Sequence, residues 1–196
     1  MENINSYSEY IKNPLGVSFN VNIDRPEVLK AFKRLILTPP WLFLLQHRRI
    51  KGIKNAMVGA GLLRDFELKL SWQKKPVAYM RDGGEMCFSV GALLSRSATV
   101  TASVLCHELA HMWLSQQDFY KGLKEINRQF KEQYLSHTDA ELLSPIELYA
   151  MVVSVIFMQD VCGALEGKKK KRFKDLIEFE LEKIELLKDK IIKLNI

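Results

Sequence analysis

Apolar and polar side chains alternate over residues 66–72, with the two-residue period of a half-buried strand. A second short apolar segment covers residues 77–80, and a third alternating segment covers residues 86–90. Turn-forming residues at 73–76 and 81–84 separate these segments. The pattern therefore predicts three short strands joined by tight turns, which is an antiparallel meander.

Most of the remaining chain has the spacing of amphipathic or buried helices. Helices are predicted at 26–38, within 41–63, from Ser95 or Ser97 to about Gln117, over 120–134, and from 145 to 158. The last of these begins at a strong signal, with Ser144 at the cap, Pro145 in the first turn and Glu147 at the third position. Because residues 149–158 are almost wholly apolar, we expect this helix to be buried.

The C-terminal region of the chain carries a short heptad-like seam, interrupted once at Glu180. The seam consists of Phe173, Ile177, Ile184, Leu187, Ile191 and Leu194. We predict a domain at 1–165, whose N-terminal region (residues 1–63) is helical, followed at 166–196 by a basic linker and an amphipathic helix. That helix could form a homodimer or bind a partner, and docking on its own domain is the interpretation that we favour.

The composition is that of an ordinary globular protein, with 47% hydrophobic and 27% charged residues in a chain of 196. No apolar run approaches the roughly 20 residues that cross a bilayer, and the polar N-terminus lacks a secretory signal. We therefore expect a cytoplasmic protein with no membrane partner. The widely spaced Cys87, Cys106 and Cys162 form no C-x-x-C pair, so we expect buried apolar side chains.

The net charge of +6 is concentrated at residues 48–54 and 168–172. A nucleic-acid partner is compatible with this excess, but no recognised nucleic-acid motif accompanies it. A solvated basic surface is the simpler interpretation.

The chemistry is concentrated in His107-Glu108-Leu109-Ala110-His111, an H-E-x-x-H motif on a predicted helix. Residues four apart share one helix face, so His107 and His111 can bind the same metal ion. Zinc in such a site lowers the pKa of bound water, and Glu108 is placed to accept the proton as general base. The motif therefore predicts a zinc hydrolase.

A catalytic zinc ion usually takes a third protein ligand and keeps one position open. The extended motif H-E-x-x-H-x-x-G-x-x-H is excluded, since Leu114 and Gln117 stand where it needs Gly and His. Two candidates remain, His137 in a predicted loop and Glu147 on the next helix. Glu147 has a competing role, because a capping-box glutamate turns back to the N-terminus of its own helix.

The sequence resembles zinc peptidases of the gluzincin type, and most of all the ImmA/IrrE family. The resemblance covers roughly residues 66–160, and its second motif begins at Glu147-Leu148-Tyr149-Ala150. The glutamate, the alanine and the apolar cluster that follows agree with the family. Leu148-Tyr149 and Gln159 depart from its usual alanine-asparagine and final proline.

This resemblance implies an α+β zincin-like domain in which a small antiparallel sheet precedes the active-site helix. It also implies that His107, His111 and Glu147 bind Zn²⁺, and that the protein cleaves an intracellular protein or peptide substrate such as a transcriptional repressor. By the same resemblance, the strand at 86–90 is an edge that could receive an extended peptide. Tyr134 and Tyr149 are weaker candidates for stabilising the oxyanion.

Two alternatives stay open from the sequence. His137 and the basic charge suit a SprT-like protease that acts on DNA-bound proteins. A catalytically degenerate zincin fold, kept as a regulatory or binding module, is the other.

Overall fold

The computed structural model describes residues 21–72, 78–81, 85–134 and 144–193. These residues form seven helices and three strands. In chain order they are α1 (Pro26–Ile36), α2 (Phe43–Gly59), β1 (Glu67–Ser71), β2 (Ala78–Arg81), β3 (Glu85–Ser89), α3 (Val90–Ser95), α4 (Ala98–Ser115), α5 (Tyr120–Tyr134), α6 (Pro145–Gly163) and α7 (Gly167–Lys193). The protein is thus mostly helical, with one small sheet.

The sheet is mixed, and the prediction of an antiparallel meander is wrong. Its order is β1-β3-β2, with β2 antiparallel to β3 but β1 parallel to it. β3 takes the central place and is buried on both faces, with Met86 and Phe88 fully buried on one face and Cys87 2% exposed on the other. By contrast, β1 keeps an exposed face along Glu67 and Lys69, as an outer strand does.

The strand order also corrects the expected peptide-binding edge. Since β3 is hydrogen-bonded on both sides, it has no free edge to offer. The chain then turns directly into α3, a short helix that the alternation up to Val90 concealed. Ser89 caps α3 by accepting a hydrogen bond from the Ala92 N–H at 3.3 Å.

The predicted helices α4 to α6 are confirmed closely. Ser97, one of the two predicted caps, accepts a hydrogen bond from the Val100 N–H and starts α4. The helix α5 has the predicted bounds, and α6 begins at Pro145 as expected. The starts of α4 and α6 each combine a serine cap with a run of apolar residues, which is why the sequence marks them well.

The core lies between α4 and α6, and α7 packs against both of them. Phe173, Ile177 and Ile184 on α7 are buried in the same apolar cluster as the residues of α4 and α6. This is the docked arrangement that we favoured for the C-terminal helix. The three cysteines are free and buried, as predicted.

Among the residues that the structure describes, one helix is long and apolar enough to cross a membrane by length and composition. It is α6, and 61% of the window that meets this criterion is buried inside the protein. Burial of that kind is expected of a central core helix.

Candidate metal centre

Two helices bring three potential metal ligands together. His107 and His111 lie one turn apart on α4, and their Nε2 atoms are 3.1 Å apart. Glu147, in the first turn of α6, places Oε2 3.4 Å from Nε2 of His107 and Oε1 3.2 Å from Nε2 of His111. All the ligand atoms of this group lie within 4.8 Å of one another.

The start of α6 explains how Glu147 reaches the histidines. The Ser144 hydroxyl accepts a hydrogen bond from the backbone N–H of Glu147 at 3.3 Å, which is one half of a capping box. The Glu147 carboxylate does not complete the box, because it faces His107 and His111 on α4. The cap therefore fixes the first turn while leaving the carboxylate for the site.

The spacing of the three donors fits a small tetrahedral ion. With metal–ligand bonds of about 2.1 Å, neighbouring ligand atoms of a tetrahedral zinc site lie about 3.4 Å apart. The two imidazole nitrogens are 3.1 Å apart, and each lies 3.2 to 3.4 Å from its nearer Glu147 oxygen, Oε2 for His107 and Oε1 for His111. Two imidazoles and one carboxylate are a donor set that catalytic zinc sites use.

The site also opens to solvent. The side chains of His107, His111 and Glu147 keep 29%, 18% and 31% of their surface exposed. Water and a substrate can therefore approach the point where the three donors meet, which a closed structural metal site would prevent.

Glu108 lies beside this group and is nearly enclosed, with 8% of its surface exposed. Burial raises the pKa of its carboxyl group, while the neighbouring His107 and His111 act in the opposite direction. Glu108 is therefore electrostatically coupled to both histidines of the motif. It is the only carboxylate of the H-E-x-x-H motif itself.

Contacts within this group shift the pKa values of Glu147 and His107. Burial raises the pKa of Glu147, but its contacts with His107 and His111 outweigh burial and bring the pKa down to about 2. Burial lowers the pKa of His107, yet the contact with Glu147 and the other nearby carboxylates leave it above its usual value. Glu147 is thus held in the anionic form that metal binding needs.

Glu180, for which the sequence indicated no role, is electrostatically coupled to the site. It lies on α7 between the buried Ile177 and Ile184, and its charge helps to raise the pKa of His107. Its carboxylate also contacts Nζ of Lys183 at 3.0 Å. The interruption of the heptad seam at Glu180 was the available signal, because a carboxylate on an apolar seam needs a polar neighbour.

The sequence also offered Tyr149, Tyr134 and His137 as candidates. Tyr149 is 5% exposed and belongs to the apolar core; burial raises the pKa of its hydroxyl to about 12. The side chain of Tyr134 and the whole of His137 lie outside the described residues.

Comparison of the chain with protein-family models, with curated proteins and with solved structures finds no match. The function is therefore inferred from the geometry of His107, His111 and Glu147 and from Glu108 of the same motif.

Proposed function

We propose that this protein is a zinc-dependent metallopeptidase. The convergence of His107, His111 and Glu147 carries the proposal, since their ligand atoms lie within 4.8 Å of one another. Two of the three residues come from a motif whose chemistry is hydrolytic. The third comes from a different helix, and its position was predicted from the resemblance to gluzincins.

In the proposed mechanism, His107, His111 and Glu147 hold the ion and leave one side open to solvent. A zinc ion at this position supplies Lewis acidity and makes water acidic enough to be deprotonated near neutral pH. Glu108 accepts a proton from the attacking water and then delivers it to the nitrogen of the leaving amine. Its location beside both histidines, in a nearly enclosed environment, suits this transfer.

A glutamate as third ligand supports a gluzincin-type site, and within that type we propose an ImmA/IrrE-like peptidase. The substrate that this implies is an intracellular protein, with a transcriptional repressor as the first class to test. An extended peptide could be held at β2, which packs on α4 and pairs only with β3 among the described strands. Strand addition there would use main-chain hydrogen bonds and leave the residues beside the cut free to enter the site.

Replacing Glu108 by Gln tests the mechanism, because the amide keeps the shape of the side chain but cannot accept the proton. We expect zinc to stay bound and cleavage of a labelled unfolded protein, such as casein, to fall by at least about 100-fold. The matched control is Glu182→Gln, an exposed residue on α7. Unchanged cleavage by the Glu108→Gln variant would contradict the mechanism.

The same experiment addresses the alternatives. Full zinc occupancy with no cleavage by the wild type would favour a regulatory or binding module. Cleavage that requires DNA and disappears at high salt would favour the SprT-like protease.

A further inference from the structure

A basic groove lies between α1 and α2, in a region of the molecule that the proposed peptidase chemistry does not use. The groove has a volume of about 280 Å³. Its lining includes Glu27, Lys30 and Arg34 from α1, and Arg48, Arg49 and Gly52 from α2. α1 and α2 follow one another in the chain and pack together as a helical hairpin, and residues of both helices line the groove.

The groove is strongly cationic. Its four basic side chains face a single carboxylate, that of Glu27, and none of the four forms an ion pair with a residue that the structure describes. Nε of Arg49 is buried and has no hydrogen-bond partner within the described regions of the chain. Uncompensated guanidinium groups of this kind favour phosphate as a ligand, because they donate several hydrogen bonds and stay charged.

Exposed apolar residues lie at the end of the hairpin where the chain passes from α1 to α2. The hairpin loop and its flanks carry Leu37, Trp41, Leu42 and Leu44, which are 61%, 73%, 42% and 65% exposed. Leu44 precedes Arg48 by four residues on α2, so the two share a helix face. Leu37 is the C-cap of α1 and follows Arg34 by three residues. We call these four apolar residues the hairpin tip.

The hairpin tip is held firmly in place. Gln46 is buried, and its amide donates hydrogen bonds to the carbonyl oxygens of Pro40 at 2.8 Å and Leu93 at 3.2 Å. The Thr38 hydroxyl donates to the carbonyl of Arg34 at 2.7 Å. These bonds anchor both sides of the loop, so its apolar side chains do not turn inward to the core.

From these observations we propose that the hairpin binds the surface of an anionic phospholipid membrane, with the hairpin tip in the lipid layer and the basic groove against the phosphate groups. Leucine and tryptophan side chains can enter the apolar boundary of a membrane. The basic side chains that follow them in the hairpin can contact the anionic headgroups. Three of the four tip residues are leucines, which gain little from stacking on bases, so lipid fits this surface better than nucleic acid. The contact is peripheral and involves no membrane-spanning segment.

The test is co-sedimentation of the full chain with vesicles, either of phosphatidylcholine alone or of an equimolar mixture with phosphatidylserine. We expect binding to the mixed vesicles only. The Arg34→Gln, Arg48→Gln double variant should bind roughly 25-fold more weakly, since each lost charge near an anionic surface costs about fivefold in partitioning. A Trp41→Ser, Leu44→Ser variant should lose at least about tenfold.

Matched controls distinguish binding through the hairpin from nonspecific electrostatic or hydrophobic binding elsewhere on the protein. Lys171→Gln, Arg172→Gln removes the same charge from exposed positions of α7, and Trp72→Ser removes another tryptophan, one that is 83% exposed. Neither control should change binding if the hairpin makes the contact. All four variants replace exposed side chains, and circular dichroism checks that each is folded.

The proposal is overturned if the wild type does not co-sediment with vesicles that contain phosphatidylserine. It is also overturned if the control variants weaken vesicle binding as much as the hairpin variants do. Binding of a DNA or RNA oligonucleotide through Arg34 and Arg48, without vesicle binding, would also overturn it and assign the groove to nucleic acid. None of these outcomes depends on zinc, so the result is independent of the proposed peptidase activity.

Discussion

Oε1 of Glu147 lies 3.2 Å from Nε2 of His111, although a complete helix and a further segment of chain separate the two residues. A contact between residues this far apart in the chain depends on the packing of α6 against α4. Integrity of the site and integrity of the core are therefore linked, because the same helix pair provides both. Weakening that packing should weaken metal binding even where no ligand is changed.

Glu180 allows a test of how far the site extends beyond its ligands. Its negative charge acts on His107 and should therefore favour a divalent cation bound there. We expect Glu180→Gln to weaken zinc binding about 10-fold, measured by competition with a chromogenic chelator. Glu182→Gln makes the same charge change at an exposed position of α7 and should leave the affinity unchanged. Equal affinities in the two variants would show that Glu180 has no role in the site.

The docking of α7 can be tested with two phenylalanines of the same helix. Phe173 is fully buried, whereas Phe179 is 52% exposed. We expect Phe173→Ala to lower the free energy of unfolding by about 3–5 kcal/mol and Phe179→Ala by less than about 1 kcal/mol, measured by urea denaturation. If Phe173→Ala had no effect on stability but changed the mass in solution, α7 would be a dimerisation helix.

Asp160 on α6 anchors the chain that precedes α1. Its Oδ2 accepts the Ile23 N–H at 2.7 Å, and Ile23 is fully buried. Asp160→Ala leaves this N–H without an acceptor and should destabilise the protein by about 1–3 kcal/mol. Asp160→Asn keeps an acceptor and should cost less, again measured by urea denaturation.

The same residue predicts a pH effect with a definite sign. Burial raises the pKa of Asp160, although the bond from Ile23 acts against the shift. The folded state therefore holds this proton more tightly than the unfolded state does. Protonation of Asp160 therefore contributes fully to the free energy of unfolding below the ordinary pKa of 3.8. This contribution is lost as the pH rises through the raised pKa of the folded state. Asp160→Asn should remove this component of the pH dependence, and an unchanged profile would contradict the assignment.

The sequence marks local features well and arrangements in space poorly. The caps at Ser97 and Ser144 and the pairing of His107 with His111 depend on neighbours within one turn of a helix, so pattern and spacing reveal them. The central position of β3 and the parallel pairing of β1 depend on which strand gains most from burial on both faces. That comparison involves the helices packed against the sheet, which the alternation of side chains does not show.

The residues of the candidate site also fall into those that the sequence identifies and those that depend on tertiary packing. The motif alone identifies His107, Glu108 and His111, whereas the sequence leaves Glu147 with two competing roles. The packing of α6 against α4 turns its carboxylate toward the histidines. The approach of Glu180 required the docking of α7, and only the interruption of an apolar seam hinted at it.

The central claim is that His107, His111 and Glu147 bind zinc, and metal content tests it most directly. Elemental analysis of protein purified without a histidine tag should find one zinc per chain in the wild type. The Glu147→Ala variant should have lost it, and the His137→Ala variant should retain it, with both variants shown to be folded by circular dichroism. Absence of zinc from the carefully purified wild type, or full zinc in the Glu147→Ala variant, would contradict the account.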